Sequence, residues 1–358
     1  MGQMGFYDVA KRLEAISAKG DPLELIKVTV AWESFRAEIE AVTRPKPEER
    51  KSSAGRKPYD AILMFKILVL QTLHNLADEQ LEYLIRDRLS FMRFLDLGLE
   101  DPVPDATTVW LFREALAKAG LVAKLFVLFN QHLEAKGYIA RGGQIVDATI
   151  VSAPMQHNSR SENEAIKAGK TPEGWHEKPA KNSQKDKDAR WTKKHDKSFY
   201  GYKNHIGIDR THKLIRRYAE TDASVHDSQM LDDVLDKSNT GADVWADSAY
   251  RSAEIEAKLE ARGYKSRVHR RARRNRPLSR RELAGNTTRS RVRARVEHVF
   301  GHQHTSMGGT IVRTIGIVRA RAKIGLMNLV YNISRLVQLE RGGAGLSRVR
   351  GWNLCRVA

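Results

Sequence analysis

Residues 144–152 read Gln-Ile-Val-Asp-Ala-Thr-Ile-Val-Ser, and this stretch decides the fold class. It is rich in isoleucine, valine and threonine, the β-branched residues that fit a pleated and half-buried surface. It also follows the pair Gly142-Gly143, after which the helical spacing of apolar residues stops, so a buried strand is predicted. Asp147 lies inside this strand. Because a buried carboxylate is costly unless a cation meets it, we expect a cationic group beside Asp147.

The residues that follow alternate between strand-like and helix-like patterns. Strands are predicted at 199–208, 214–220, 242–246 and 265–268, and helical spacing of apolar residues occurs at 230–235, 253–262, 289–304 and 317–339. The turn at 209–212 joins the first two of these strands as a hairpin. Three strands in a meander, followed by alternating helices and strands, predict an α/β fold with a mixed sheet and flanking helices.

The first 135 residues are different and predict an all-α N-terminal domain. Residues 59–76 form a dense apolar helix, and Asp78 and Asp105 are suitable N-caps for two further helices. Such short helices are typical of a helix-turn-helix DNA reader. However, residues 78–118 hold 5 Lys+Arg and 9 Asp+Glu, a net charge of −4. A dimerisation or architectural role is therefore favoured for residues 1–135, and reading of a DNA end stays open as the alternative.

The net charge of +19 and pI near 10.0 indicate a polyanionic partner. Residues 1–140 carry a net charge of −1, whereas residues 265–295 hold 13 Lys+Arg against the single acid Glu282. Cations at this density would repel one another in the absence of a polyanion. We therefore expect DNA to bind to residues 265–295. Residues 158–198 have few apolar residues and many lysines, and we predict a flexible basic loop that assists. The candidate DNA-binding residues of the basic segment are Arg270, Arg271, Arg273, Arg274, Arg276 and Arg289.

Two further acids lie where chemistry is expected. Asp247 ends a short apolar strand, and Glu297 lies on a predicted helix that brings Arg293 and His304 to the same side. Two strand acids and one helix acid suit divalent metal ions that promote phosphoryl transfer, which needs no protein nucleophile. All-oxygen ligation favours Mg²⁺, with Mn²⁺ as a substitute. Taken singly, Asp247 is equally explained as a turn cap and Glu297 as an ion pair with Arg293.

Several ordered blocks of the sequence resemble one family. Residues 145–149 (Ile-Val-Asp-Ala-Thr), 246–250 (Ala-Asp-Ser-Ala-Tyr) and 293–301 (Arg-Ala-Arg-Val-Glu-His-Val-Phe-Gly) are similar to blocks of bacterial insertion-sequence transposases with an aspartate–aspartate–glutamate triad. The group is the one named after insertion sequence five. Residues 55–59 and 91–95 resemble the helical domain of that group. The resemblance implies cut-and-paste DNA transposition, with a homodimer assembled on double-stranded terminal inverted repeats.

The resemblance also implies a ribonuclease-H-like catalytic domain at 141–340, followed by a C-terminal tail at 341–358. Its metal-binding and catalytic triad is Asp147, Asp247 and Glu297. Members often carry a tyrosine, arginine, glutamate and lysine signature around the glutamate. Here Arg293 and Glu297 match, whereas Ser290 replaces the tyrosine and His304 the lysine. The replacements bear on how the DNA end is gripped, to which Arg293 and His304 are expected to contribute.

The remaining features of the sequence narrow the class of protein. Cys355 is the single cysteine, so neither an intrachain disulfide nor a cysteine zinc cluster is expected. Residues 61–73 are too short to span a bilayer, and residues 1–6 lack the pattern of a secretion signal, so a cytoplasmic protein without a membrane partner is expected. Two alternatives to a transposase stay open: a basic DNA-binding derivative without catalysis, and a nuclease that cuts DNA without joining it.

Overall fold

The chain divides into two compact units. The computed structural model describes residues 7–44, 57–194, 196–272 and 274–343. The first unit combines the residues up to Gly137 with those from Leu326 onward, and the second runs from Tyr138 to Gly325. The predicted all-α region thus lies in the first unit, and the predicted sheet lies in the second.

Helices make up the described part of the first unit. They are α1 (Asp8–Ala18), α2 (Pro22–Thr29), α3 (Arg36–Thr43), α4 (Ala61–His74), α5 (Asp78–Asp87), α6 (Leu89–Leu95), α7 (Ala106–Lys118) and α8 (Leu121–Ala135). Helix α4 is the apolar helix predicted from the sequence, and nearly all of its side chains are buried. It begins where the Asp60 carboxylate accepts hydrogen bonds from the amides of Ile62 and Leu63, at 2.9 and 3.0 Å. It ends at Asn75, whose φ of 50° is left-handed.

The last helix, α14 (Ile317–Gly343), contributes to both units. The sequence predicted a helix at 317–339 and assigned all of it to the sheet domain, but the residues from Leu326 onward belong to the helical unit. The reason is a run of apolar side chains that are fully or almost fully buried: Met327, Leu329, Val330, Ile333, Leu336 and Val337. In the described part of the chain no single helix is long and apolar enough to cross a membrane, and α4 with α5 meets that criterion only as a pair bent by 104°.

A six-stranded mixed sheet forms the centre of the second unit. Its strands are β1 (Gln144–Ser152), β2 (Arg190–Lys194), β3 (Lys197–Asp209), β4 (Ile215–Asp222), β5 (Asp243–Trp245) and β6 (Lys265–Ser266). Strands β6, β5, β1 and β3 are neighbours in that order, and β3 also pairs with β4 and β2. The β1, β3 and β4 pairings are antiparallel, whereas β1, β5 and β6 are parallel. The predicted α/β class, a mixed sheet with flanking helices that follows an all-α region, is confirmed.

Helices pack on both faces of this sheet. The helices of the second unit are α9 (Arg160–Lys167), α10 (Pro179–Gln184), α11 (Leu231–Val234), α12 (Ala253–Ala261), α13 (Arg280–Ser306) and the first residues of α14. On one face, Val146 of β1 packs into a core with Leu231 of α11 and Leu259 of α12. On the other face, Val151 packs with Ile324 of α14. Alternate residues of a strand point to opposite faces, so Asp147 shares the face of Val151.

The segment 158–198 is not the flexible loop that the sequence predicted. It contains α9, α10 and β2, and Trp175 is buried within it, donating to Glu162 at 2.7 Å. Asp186 is buried too, and it accepts hydrogen bonds from the Tyr202 hydroxyl at 2.6 Å and from the Ala189 amide at 3.0 Å. These long-range contacts order a segment whose composition alone indicated disorder. Trp175 is therefore a core residue.

Candidate active site

Asp147 and Asp247 lie on neighbouring parallel strands. Strand β1 pairs with β5 through Gln144 with Val244 and Ile145 with Trp245, and each aspartate follows its strand's last pair by two residues. Continued for two residues, this register places the two carboxylates side by side on one face. The Asp247 carboxylate also contributes to raising the pKa of Asp147, as a like charge nearby must. The two strand acids of the predicted triad therefore lie together.

Each of these aspartates has a second, local interaction. Asp247 accepts a hydrogen bond from the Ala249 amide and caps the short 3-10 helix Ser248–Tyr250. The turn-capping explanation of Asp247 is thus correct, but it does not exclude a ligand role, because a carboxylate has a second oxygen. Asp147 accepts from the Ala148 amide at 2.9 Å through Oδ1. These bonds fix the orientation of both carboxylates.

The cation expected beside Asp147 is Arg293 of α13. Arg293 Nη2 donates to Asp147 Oδ2 at 2.7 Å, and the two side chains are only 14% and 17% exposed. Burial raises the pKa of Asp147, and the opposing effects of Arg293 and of the Ala148 amide do not cancel it. One guanidinium is therefore not enough to balance this pair of acids, and the site favours additional positive charge.

Glu297 is placed differently from the two aspartates. It lies one turn after Arg293 on α13, a helix that packs against β1 and β5, but its side chain is exposed. In the described part of the chain Glu297 forms no ion pair with Arg293, whose partner is Asp147. Among the described residues no group of three or more His, Cys, Asp or Glu side chains is arranged to hold a metal ion. The triad of Asp147, Asp247 and Glu297 thus stays a prediction.

The donor set nevertheless fits a divalent cation. Asp147 and Asp247 supply hard carboxylate oxygens on adjacent strands, and Glu297 is carried by the helix that packs over both. Mg²⁺ is usually held by one or two carboxylates together with substrate phosphates, so two converging aspartates meet that requirement. The guanidinium of Arg293 at Asp147 shows that this carboxylate attracts a cation. The residues present and the predicted ion are therefore compatible.

Three side chains that the sequence did not single out as site residues also lie here. His269 follows β6 and lies 3.4 Å from Arg293 Nη1 through its Nδ1. Its Nε2 lies 3.3 Å from the Ser290 hydroxyl, so the serine at the signature tyrosine position has an imidazole partner. The Tyr250 hydroxyl is buried and has no hydrogen-bond partner among the described residues. Burial raises the pKa of Tyr250, and the charges of Asp227, Asp147 and Asp247 raise it further.

A signal for His269 was present in the sequence. Asp247 comes at the end of one strand, and His269 comes at the end of the next, where the ends of parallel strands meet at one sheet edge. The His269 amide continues the parallel pairing by donating to the Ala246 carbonyl at 3.1 Å. The arginines around His269 obscure this signal, because their charge marks the whole stretch as a basic surface.

His304 is placed by local packing. Its Nε2 lies 3.3 Å from the Thr149 hydroxyl on β1, and its ring stacks on Phe300 with 6.4 Å between centroids. Burial lowers the pKa of His304, so its imidazole is neutral near pH 7. A neutral, half-buried ring is less suited than an exposed cation to the DNA contact that is predicted for His304.

The basic segment 265–295 comprises β6, a connecting stretch and the first half of α13. Helix α13 begins at Arg280, earlier than predicted, because Ser279 and Glu282 form a capping box. Four predicted DNA-binding arginines of this segment are exposed: Arg270, Arg271, Arg274 and Arg276. Arg270 pairs with Glu282 at 2.7 Å and Arg276 with the same carboxylate at 3.8 Å. Arg273 lies outside the described residues.

Arg289 is the member of this group that is partly buried. Burial lowers the pKa of Arg289, and the neighbouring charges of Arg270, Arg251 and Arg267 lower it further. It donates to the Asn286 side chain at 3.2 Å. A guanidinium surrounded by three others marks a surface on which positive charge is concentrated, as a polyanion requires.

Two family models place this chain among transposases. A family model described as Transposase DDE domain matches residues 140–333, more than half of the 358 residues. A second, described as Transposase domain (DUF772), matches residues 11–115. Among solved structures, the cryo-EM structure of a piggyBac transposase synaptic complex with hairpin DNA is similar at a TM-score of 0.45 and 13% identity. The similarity covers 92% of this chain and 77% of that one. The chain belongs to the Transposase DDE domain family.

Proposed function

We propose that this protein is a DNA transposase of the group named after insertion sequence five. It would cut the terminal inverted repeats of an insertion sequence and join the freed ends to a target in cut-and-paste fashion. The observation that carries the proposal is the pair Asp147 and Asp247 on adjacent parallel strands, covered by a helix that supplies Arg293 and Glu297. This arrangement lies within the residues matched by the family model.

Mg²⁺, replaceable by Mn²⁺, is the proposed cofactor. Asp147, Asp247 and Glu297 are the residues that would hold it. Once bound, a divalent metal activates the attacking oxygen and stabilises the leaving oxygen of a phosphodiester. The chain itself orients the two aspartates through the amides of Ala148 and Ala249 and balances part of their charge with Arg293. No protein nucleophile is needed for such a transfer.

Double-stranded DNA is the proposed partner, and the basic segment is its proposed anchor. The exposed arginines lie between β6 and α13. Helix α13 also carries Arg293, which contacts Asp147 directly. Phosphate contacts from this segment would bring a DNA end to the two aspartates and fix its orientation. The helical unit, whose sequence up to residue 140 has a net charge of −1, is proposed to mediate a homodimer on DNA, in the cytoplasm with the nucleoid.

Substitution of Glu297 tests the mechanism. Glu297→Gln should slow cleavage and strand transfer of end DNA by more than about 100-fold, while DNA affinity stays unchanged, because a metal ligand is removed and every cation is kept. Cleavage and joining are measured on labelled end DNA in Mg²⁺ and in Mn²⁺. Glu254→Gln, an exposed glutamate on α12, is the matched control.

Each other outcome points to a different function. Cleavage by Glu297→Gln at the wild-type rate contradicts the assignment of Glu297. Cleavage by the natural protein without joining indicates a nuclease. DNA binding without either reaction in Mg²⁺ or Mn²⁺ indicates a DNA-binding derivative that has lost catalysis.

The proposed DNA anchor predicts a specific salt dependence. In the full chain, replacing Arg270, Arg271 and Arg274 by alanine should weaken binding to all sequences and reduce the salt slope by roughly 0.9 for each phosphate that is no longer neutralised. The control removes three exposed cations of the α1 region, namely Lys11, Arg12 and Lys19. Binding is measured over a salt series on one duplex. If the control variant flattens the slope as much as the arginine variant, the helical unit takes part in phosphate binding.

A further inference from the structure

A chain of polar contacts leads from Asp147 to the surface of α13. Asp147 Oδ2 accepts from Arg293 Nη2 at 2.7 Å, and Arg293 Nη1 lies 3.4 Å from His269 Nδ1. On the other side of the ring, His269 Nε2 lies 3.3 Å from Ser290 Oγ. Three elements supply this chain: β1 for Asp147, the end of β6 for His269, and α13 for Arg293 and Ser290. Both terminal nitrogens of the guanidinium are therefore occupied.

The donors and acceptors in this chain fix the state of His269. A guanidinium only donates hydrogen bonds, so His269 Nδ1 must accept from Arg293 and cannot carry a proton. The ring proton is then on Nε2, which faces the Ser290 hydroxyl and the Asn286 backbone carbonyl. Burial lowers the pKa of His269, and the charge of Arg293 lowers it further, so the imidazole is neutral near pH 7. The charged groups that act on the ring are Arg293 and Arg289 from α13, with Asp247 opposing them from the end of β5.

A backbone hydrogen bond fixes the position of His269 beside Arg293. The His269 amide donates to the Ala246 carbonyl at 3.1 Å, one residue before Asp247, so the histidine is attached to the strand that carries the second aspartate. The Nε of Arg293 is buried without a hydrogen-bond partner among the described residues, so His269 and Asp147 supply the contacts that orient the guanidinium.

We propose that His269 is a positioning residue of the active site. In its neutral Nε2–H form it holds Arg293 against Asp147, and Ser290 holds the imidazole. The inference rests on the proposed function, because Asp147 matters there as a metal ligand. His269 acts through Arg293, so it affects the rate of cleavage at saturating DNA.

Two substitutions of His269 distinguish the effect of its hydrogen-bond acceptor from the effect of its side-chain volume. His269→Asn keeps an oxygen that can accept from Arg293, whereas His269→Leu keeps volume and removes the acceptor. We expect His269→Leu to slow single-turnover cleavage by about 10-fold, in the range of outer-shell partners of metal ligands, and His269→Asn to restore most of the rate. His157→Ala, an exposed histidine outside this chain of contacts, is the control. Equal rates for the asparagine and leucine variants would overturn the proposal.

A double-mutant cycle tests the route of action. If His269 acts through Arg293, then His269→Leu has no further effect on the cleavage rate of Arg293→Ala. An equal reduction in both backgrounds would overturn the proposal. Asp147→Asn is measured in parallel: if it retains cleavage, the proposed function fails, whereas its inactivity with a failed cycle refutes only the role of His269.

A measurement that needs no activity covers the case in which Arg293→Ala is inactive. Imidazole ¹⁵N shifts of the full chain report the tautomer of each histidine, and the His269 signals are assigned by their loss in His269→Asn. We expect the Nε2–H form at pH 7 and a higher pKa of His269 in Arg293→Ala, because a neighbouring positive charge is removed. An Nδ1–H form, or a charged ring at pH 7, would overturn the proposal.

Discussion

Two arginine–aspartate pairs in this protein differ in their effect on the acid. In the helical unit, Arg113 of α7 holds Asp78 of α5 with two contacts of 2.6 and 2.8 Å, and Gln71 adds a third at 2.6 Å. Burial acts to raise the pKa of Asp78, but these hydrogen bonds outweigh it, and the pKa is lowered. In the sheet unit, Arg293 contacts Asp147 once, at 2.7 Å, and the pKa of Asp147 is raised.

The difference separates an acid whose charge is balanced by its neighbours from one whose charge is not. Asp78 has its charge fully matched by a two-pronged arginine, so ionisation stabilises the fold. Asp147 is more deeply buried and has a second carboxylate, Asp247, acting on it, and one contact from an arginine does not compensate. An arginine beside an aspartate is therefore not enough to assign a structural role. Both aspartates have such an arginine, yet the pKa of Asp78 is lowered and the pKa of Asp147 is raised.

The largest expected contrast between the pairs is in activity. Asp147→Asn should abolish cleavage of end DNA, because an amide is a poor ligand for Mg²⁺ and lacks the negative charge. Asp78→Asn should leave the cleavage rate of the folded protein within about 2-fold of wild type, since a structural pair affects stability and not the reacting groups. The rates are compared under single-turnover conditions at a temperature where both variants are folded.

The same two variants should differ in the sign of their effect on stability. At pH 7, Asp147→Asn should raise the free energy of unfolding and Asp78→Asn should lower it by about 1–3 kcal/mol. Because its pKa is raised, ionised Asp147 lowers the free energy of unfolding, and the full effect is present above that raised pKa. The effect disappears as the pH falls toward the ordinary value of 3.8. The stabilisation from Asp78 is present above 3.8 and is lost as the pH falls through its lowered pKa. Denaturant unfolding between pH 7 and a pH below 3.8 measures both effects, and equal pH trends would contradict the comparison.

An intermediate contrast is expected when the arginines are removed. Arg293→Ala and Arg113→Ala should each lower the free energy of unfolding by about 1–3 kcal/mol, because each leaves a carboxylate without its cation. Added Mn²⁺ should restore the melting temperature of Arg293→Ala alone, since only Asp147 has a second carboxylate beside it to bind a divalent ion. Thermal unfolding with and without Mn²⁺ tests this. Restoration of Arg113→Ala, or of neither variant, would remove the distinction.

The smallest expected effect concerns Tyr250. Tyr250→Phe removes a buried hydroxyl that has no partner among the described residues, so the free energy of unfolding should be unchanged or rise by less than about 1 kcal/mol. Tyr200→Phe is the control, because its hydroxyl donates to the Asp186 carbonyl at 2.9 Å and its removal should destabilise the protein. A clear destabilisation by Tyr250→Phe would show that its hydroxyl has a partner in solution.

Local sequence patterns predicted much of the sheet unit. Strand β1 has the predicted bounds 144–152, because a β-branched run after two glycines leaves little choice of start or conformation. Asp105 caps α7 as expected, accepting from the Thr108 amide at 2.7 Å. The cation beside Asp147 was also expected, because the cost of a buried carboxylate follows from its position in the strand.

Features that depend on distant residues were not predictable in this way. The order in 158–198 depends on Trp175 and Asp186, whose partners become visible only when the chain has folded. Asp78 was expected to cap α5, but it lies inside that helix and binds Arg113, 35 residues away. The exposure of Glu297 and the role of His269 depend on how α13 lies on the sheet, and the spacing of residues along one helix does not define that.

Helix α14 has a consequence for how this protein is synthesised. The helical unit needs residues from Leu326 onward, although its other helices end by Gly137. A ribosome that adds about 5–20 residues per second requires roughly 10–40 s to cover the intervening stretch. During that interval the early helices have left the ribosome without the helix that completes their core. A nascent chain truncated before Leu326 therefore exposes apolar surface to chaperones and proteases, because the buried α14 side chains of the first unit are missing.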